Sequence, residues 1–235
     1  MEASFIILPD RREHPFRNME EDLLLLHRNP FPGSVIFRHY AWVFPCWTCG
    51  YSQKFAFVKE RTGGTADTIF RRPTGGGIVP HAADWTFTLV IGPKNPAFQK
   101  PPREFYHLVH GSIVDVLKSF RTGVVLHACR DDSCGSAPAE ECFRSPVLSD
   151  VLHSESGEKI AGAAIKKTRG GVLLQGSIQK SRLPGLEWSN FKTLFSQDLS
   201  RVFGAEPTEA EWPFSARDTH PPYGERIHHT GWLQG

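Results

Sequence analysis

Three consecutive glycines, Gly75 to Gly77, constrain the fold more than any other feature of this chain. The stretches on either side, residues 67–72 and 84–91, are rich in β-branched and aromatic residues, which is typical of strands. The chain between them contains Pro73 and the glycines, so it must turn sharply. The segment therefore predicts a strand, a tight glycine-rich turn and a second strand.

The residues around this turn favour a role in ligand binding. Glycine lets backbone amides come close to a carboxylate, a thioester carbonyl or a phosphate. Three glycines alone are equally typical of a plain flexible turn. Arg71 and Arg72 lie directly before this one and His81 follows it, so further hydrogen-bond donors surround the amides.

The rest of the pattern predicts one α+β domain over residues 1–235. Caps and helical spacing of apolar residues predict helices at 18–29, 104–120 and 190–203. Further strands are predicted at 34–39, 40–48, 147–153, 159–167 and 171–178. Residues 205–235 are rich in proline, histidine and glycine, and we expect a coil tail there.

Charge and hydropathy exclude several classes of protein. The 27 basic and 25 acidic residues give a net charge of +2, and the basic ones are scattered in ones and twos between acidic ones, so no basic face for nucleic acid is expected. No apolar run approaches the roughly 18 residues that a membrane span needs. The first residues show no secretion signal, and five cysteines cannot all pair, so we expect a cytoplasmic protein in a reducing compartment.

A lysine at the start of a predicted strand forms the second chemical signal. Lys159 is followed by Ile160, Ala161, Gly162, Ala163 and Ala164, and these small residues leave room for a ligand. An ammonium group there can bind a carbonyl or carboxyl oxygen. Taken alone, Lys159 is more typical of a solvated lysine on an edge strand.

Together the two segments resemble the lipoate-protein ligase and octanoyltransferase superfamily, which shares its fold with the biotin-protein ligases. The family pattern Arg-Arg-x-Ser/Thr-Gly-Gly-Gly/Arg-x-Val-x-His stands here at residues 71–81, and the later Lys-x-x-Gly-Ser-Ala pattern at residues 159–164. The resemblance extends from the helix at Asn18 through Trp42, Gly50 and Gln53 to Ser177.

The resemblance implies an α+β biotin/lipoate ligase-like domain, in which helices pack on a mixed, largely antiparallel sheet. Lys159 would hold the acyl carbonyl, and its strand would form one wall of an acyl tunnel. The implied substrate-binding residues are Arg71, Arg72, Thr74, Gly75, Gly76, Gly77, His81, Gly162, Ala163 and Gly176.

The segment 141–146, which contains Cys142, resembles the Cys-Phe-x-x-Pro-Ser segment of the cysteine-dependent octanoyltransferases. A thiolate is the attacking species, and an ordinary cysteine with a pKa of about 8.5 is only slightly ionised at neutral pH. A neighbouring cation such as Lys159 would raise that fraction and stabilise the oxyanion. We therefore expect Cys142 and Lys159 to be catalytic, although most cysteines are small buried hydrophobes.

The resemblance implies an acyl carrier protein as donor and a lipoyl-domain or glycine-cleavage H-type protein as acceptor, with no cofactor needed for transfer. One alternative is a lipoate-protein ligase that uses ATP and Mg to make lipoyl-AMP. Another is a non-catalytic homologue that binds acylated carriers. The chain departs from the family pattern in having Ala163 for serine, Ala82-Ala83 after His81, and no histidine between Gln175 and Gly176.

The other cysteines could supply four thiolates for a zinc ion. They lie at Cys46, Cys49, Cys129 and Cys134, a loose spacing for a zinc site. Ordinary buried or loop cysteines are the preferred interpretation, and no metal site is predicted.

Overall fold

The computed structural model describes residues 4–128, 146–215 and 217–218. Within those ranges the helices are α1 (Pro15–His27), α2 (Phe55–Thr62), α3 (Pro102–Ser119) and α4 (Trp188–Val202). The strands are β1 (Phe5–Ile7), β2 (Arg11–Glu13), β3 (Val35–Trp42), β4 (Cys46–Cys49), β5 (Ile69–Arg71), β6 (Val79–His81), β7 (Asp84–Ile91), β8 (Val124–Leu126), β9 (Val151–His153), β10 (Lys159–Thr168), β11 (Gly171–Gln179) and β12 (Pro207–Glu209).

The strands of the described ranges form two sheets. The larger has the order β12-β1-β3-β7-β11-β10-β9-β8, with β2 beside β3, and the smaller has the order β5-β4-β6. Strands β3, β7, β11, β10, β9 and β8 pair antiparallel, whereas β1 pairs parallel with both of its neighbours. The prediction of a mixed, largely antiparallel sheet with helices packed on it is confirmed.

Both faces of the large sheet are buried, because its central strands alternate apolar side chains between two layers. On one face Phe37 and Phe87 pack with Phe105 of α3 and Phe195 of α4. On the other face Ile36, Val90 and Leu173 pack with Leu25 and Leu26 of α1. The small sheet adjoins this second face through a cluster of Met19, Tyr40, Trp42, Cys46 and Phe70.

Three predicted boundaries are wrong, and one of them is that of the strand predicted at 147–153, which begins only at Val151. Helix α1 begins at Pro15, where the His14 ring accepts a hydrogen bond from the Phe16 amide, because proline suits a first helical turn. The expected cap Asn18 is instead buried within the helix. The predicted break between residues 39 and 40 is also misplaced, since β3 continues to Trp42 and the chain turns just before Cys46.

The expected coil over 205–235 requires a correction. Residues Pro207–Glu209 form β12, because the edge of β1 offers backbone partners from Phe5 to Ile7. The Trp212 ring then lies 4.7 Å from the guanidinium carbon of Arg11. The short helix α2 was not predicted, because its eight residues are too few to show a helical repeat of apolar residues.

Candidate active site

A pocket lies between the large and small sheets, on the sheet face that also carries α1. It is a narrow cleft of about 440 Å³ when the space open to solvent at its mouth is included. The structure brings six of the predicted residues to its wall: Arg72, His81, Lys159, Gly162, Ala163 and Gly176. Sequence reasoning missed the other lining residues, which are Met19, Tyr40, Trp42, Thr48, Val79, Thr86, Ala164, Gln175 and Ser177.

Lys159 is held in the wall of the pocket by a buried ion pair. Its Nζ lies 2.7 Å from Oδ2 of Asp150, and the two side chains are only 4% and 0% exposed. Asp150 also accepts hydrogen bonds from the Tyr106 hydroxyl and, at 2.7 Å, from the Val147 amide. Lys159 is therefore a fixed, buried ammonium group, not a solvated edge lysine.

Gly162 provides the space that this ammonium occupies. A Cβ at that position would lie 2.4 Å from Cε and 2.6 Å from Nζ of Lys159. Gly176 has a different role, because a Cβ there would lie 2.3 Å from the ring of Phe87. The missing Cβ at Gly162 lets the Lys159 side chain lie across its own strand, β10. The missing Cβ at Gly176 lets the Phe87 ring pack against β11.

The glycine turn lies beside the pocket and is tied to its wall. Gly76 has φ of 86°, in the left-handed region that favours glycine. Its carbonyl lies so close to Gly50 that a Cβ there would be 1.9 Å from the oxygen. The Thr74 hydroxyl donates to Oε1 of Gln175 at 2.7 Å, which joins the turn to β11.

The remaining predicted residues of the turn do not line the pocket. Gly75 and Gly76 are exposed, and Gly77 is buried. Arg71 donates to the carbonyls of Tyr51 and Gln53 at 3.1 and 3.3 Å. The turn thus supports the pocket wall and leaves two of its glycines accessible from solvent.

One side of the pocket floor carries a hydrogen-bonded set of side chains. His81 Nδ1 lies 2.8 Å from Oδ2 of Asp84, and its Nε2 lies 2.8 Å from the Thr48 hydroxyl. Thr86 and Ser177 each donate to the same Asp84 oxygen at 2.7 Å. Burial alone would raise the pKa of Asp84, but the neighbouring His81 and these hydroxyls outweigh it and lower that pKa.

A second buried charge cluster supports the pocket floor from the side of α1. Arg38 Nη1 donates to Asp22 Oδ1 at 2.6 Å, and Nη2 donates to Glu21 Oε2 at 2.5 Å. All three side chains are fully buried. The other Asp22 oxygen accepts from Gln175 Nε2 at 2.7 Å, so α1, β3 and the pocket wall share one network.

Asp150, Asp84 and Arg38 could not be identified from the sequence. Asp150 and Tyr106, for example, lie 44 residues apart and meet only because β9 and α3 pack together. A polar residue inside a strongly apolar strand, such as Arg38 in β3, is the one local signal that points to a buried network.

Three predicted cysteines, Cys142, Cys129 and Cys134, lie outside the described residues. Cys46 and Cys49 are buried thiols, and burial raises the pKa of Cys49 to about 12. Within the described ranges no group of three or more His, Cys, Asp or Glu side chains could hold a metal ion. The zinc alternative involving Cys129 and Cys134 stays untested.

His110 stabilises the turn before Asp150, and we expect it to make folding sensitive to pH. Its Nδ1–H donates to the Ser149 carbonyl at 2.7 Å, and burial lowers the pKa of His110 from 6.5 to about 4. The unfolded chain therefore binds a proton below pH 6.5, whereas the folded protein does so only below about pH 4. The free energy of unfolding should fall by about 3 kcal/mol as the pH drops through that window.

Urea unfolding at several pH values between 7 and 4 would measure this effect. His110→Asn keeps a nitrogen donor near the position of Nδ1 and does not titrate, so its stability should depend less steeply on pH. Equal slopes for the two proteins would contradict the assignment to His110.

No α-helix in the described part of the chain is both long enough and apolar enough to cross a membrane.

Comparison with known families gives one match that covers most of the chain. Residues 14–181 fit the family model of the lipoyl protein ligase A/B catalytic domain. The match contains both the glycine turn and Lys159, and it leaves out β1, β2, α4 and β12.

Individual relatives are similar over about two thirds to three quarters of this chain. Octanoyltransferase LipM of Kyrpidia tusciae is 30% identical over 172 residues, which cover 68% of this chain and 59% of that protein. LipM of Geobacillus kaustophilus is 28% identical over 185 residues, which cover 74% of this chain and 64% of that protein. The chain thus spans less than two thirds of the length of these curated relatives.

A solved structure from T. acidophilum, described as a lipoate protein ligase with bound lipoic acid, is similar in fold. It superposes with a TM-score of 0.67 at 16% identity and covers 92% of this chain and 90% of its own. At that identity the similarity concerns the fold alone.

Proposed function

Because this chain belongs to the lipoyl protein ligase A/B catalytic domain family, we propose that it is an acyltransferase of lipoate metabolism. It moves an octanoyl or lipoyl group onto a lysine of a carrier protein. The observation that carries this proposal is the buried ammonium of Lys159, which Asp150 fixes in the wall of the pocket. The curated relatives named octanoyltransferase support the same chemistry.

The first step loads the acyl group onto the enzyme. The Cys142 thiolate attacks the carbonyl carbon of a thioester on an acyl carrier protein; a new C–S bond forms and the donor's C–S bond breaks. The donor sulfur leaves as a thiolate and takes up a proton. Lys159 donates a hydrogen bond to the carbonyl oxygen and stabilises the negative charge that develops on it.

The second step passes the acyl group to the acceptor. The ε-amine of a lysine on a lipoyl-domain or glycine-cleavage H-type protein attacks the Cys142 thioester. A C–N bond forms, the C–S bond breaks, and the amine proton leaves so that the thiolate is restored. An ammonium carries three N–H donors, so an ion pair with Asp150 is compatible with a hydrogen bond from Lys159 to the acyl oxygen.

No cofactor is needed for these steps, since the donor thioester is already activated. The alternative is a lipoate-protein ligase, in which ATP with Mg would activate free lipoate as lipoyl-AMP. Ala82 and Ala83 replace residues that the ligases usually carry after the histidine, which favours transfer over adenylation.

Intact-mass measurement tests the proposal. Incubation with octanoyl-acyl carrier protein should add the mass of one octanoyl group to the protein, and a lipoyl domain should then remove it. Cys142→Ser should form no thioester adduct. Cys134→Ser, in the same segment of the chain, is the matched control and should react like the unaltered protein.

Other outcomes would contradict the proposal. Lipoate-dependent release of pyrophosphate from ATP that survives Cys142→Ser would establish the ligase alternative. Retention of a lipoyl domain on a column with neither activity would identify a non-catalytic binding protein.

A further inference from the structure

The backbone register sets a length scale along the pocket floor. Gly162 lies opposite Ser177, Ser177 opposite Thr86, and Thr86 opposite Tyr40. These residues form a single row that runs across β10, β11, β7 and β3. Neighbouring strands lie about 4.8 Å apart, so Gly162 and Thr86 are separated by roughly 10 Å.

The chemistry of this row changes along its length. The Lys159 side chain lies directly against Gly162, so the ammonium marks the end at which an acyl carbonyl would bind. Two strands away from Gly162, at Thr86, the row meets the indole of Trp42, whose Nε1–H donates to the Thr86 hydroxyl at 2.9 Å. Trp42 is itself only 8% exposed.

The indole cannot move aside easily, because it is held on three sides. Its ring lies 4.1 Å from the His81 ring and 5.5 Å from the Tyr40 ring, measured between centroids. His81 is fixed in turn by Asp84 and Thr48. The wall at this point is therefore a rigid aromatic surface whose N–H is already bonded to Thr86.

We propose that Trp42 determines acyl-chain specificity and limits the pocket to chains of about eight carbons. With C–C bonds of about 1.5 Å in a zigzag, roughly 10 Å accommodates about eight carbons. A longer chain bound with its carbonyl at Lys159 would collide with the indole. This inference rests on the proposed function, since it places the acyl carbonyl at the lysine.

Substitution of Trp42 can remove this aromatic wall or make it smaller. Trp42→Ala removes the indole and opens the space between Thr86 and His81, so the preferred chain should lengthen. Trp42→Phe retains an aromatic ring and keeps most of the packing, so the fold survives even if the alanine variant is unstable. The phenylalanine variant should shift the preference by a smaller amount, towards ten carbons.

Trp47→Ala is the matched control. Trp47 lies on β4 next to Thr48, packs in the separate cluster with Val58 and Ile69, and does not line the pocket. Its loss should leave the chain-length preference unchanged.

Calorimetry with free fatty acids of six to fourteen carbons measures equilibrium binding, and the preferred chain reports the length of the pocket without requiring catalysis. The unaltered protein should bind octanoate most tightly. In Trp42→Ala the affinity ratio of dodecanoate to octanoate should rise at least about 10-fold, the usual scale for added methylenes in an apolar pocket. A parallel series with acyl carrier protein thioesters should show the same order in kcat/KM.

The outcomes separate this inference from the proposed function. Fatty-acid binding that follows the predicted order in a protein without transferase activity would refute the proposed transfer and support the length limit. Preferences that do not change in Trp42→Ala and Trp42→Phe, or no binding of any chain, would refute the role of Trp42.

Discussion

Replacing Lys159 by methionine should lower the rate of acyl transfer by about 100- to 1000-fold. Methionine fills the same channel over Gly162, but it offers no donor to the acyl oxygen. Loss of one oxyanion donor in other acyl-transfer enzymes has an effect of this size. Single-turnover transfer from octanoyl-acyl carrier protein to a lipoyl domain, with donor and acceptor saturating, would measure it.

The fold needs its own control, because Lys159→Met leaves the Asp150 carboxylate buried without its cation. Breaking a buried pair in this way typically costs about 3–5 kcal/mol, although the Tyr106 hydroxyl and the Val147 amide still bond to Asp150. Lys159→Met with Asp150→Asn removes both charges and should restore most of the stability without restoring the rate. A folded double variant with the rate of the unaltered protein would show that Lys159 has a structural role only.

Replacing Arg38 by methionine should lower the free energy of unfolding by about 3–5 kcal/mol. The substitution leaves Glu21 and Asp22 fully buried without their shared cation. Burial already raises the pKa of Glu21, although Arg38, Arg11 and Arg17 lie beside it. A loss of this size is a large part of the 5–15 kcal/mol that usually stabilises a domain. Urea unfolding monitored by circular dichroism would measure it.

Arg28→Ala is the matched control for this prediction. Arg28 pairs with Asp218 at 3.3 Å, but their side chains are 53% and 30% exposed. An ion pair in water contributes about 0–1 kcal/mol, so this variant should unfold almost like the unaltered protein. Equal losses in the two variants would contradict the view that burial of the Arg38 cluster causes the effect.

Arg38→Met should also weaken the contacts that hold the pocket wall in place. Asp22 links Arg38 to Gln175, and Gln175 accepts the hydrogen bond from Thr74 of the glycine turn. The pocket wall and the turn are thus held in place by a charge cluster whose arginine does not itself line the pocket.

Local sequence patterns were sufficient for several parts of the fold. The glycine turn, α3 and α4, and the paired strands β10 and β11 depend on short-range periodicity and on turn chemistry, so the predicted elements were confirmed there. Boundaries near Pro15 and Trp42 were wrong because neighbouring strands and helices, which the local pattern does not contain, decide where an element ends.

The sequence by itself determined the family, through the residues at 71–81 and 159–164, and with it the expectation that Lys159 and the turn belong to one site. Only the tertiary structure decided that Asp150 fixes the lysine, that Arg38 supports the floor from α1, and that Trp42 meets the floor at Thr86. The physical reason is that these contacts depend on strand register and on the packing of helices against both sheet faces. Residues distant in the chain meet there, and no local pattern records which of them will become neighbours.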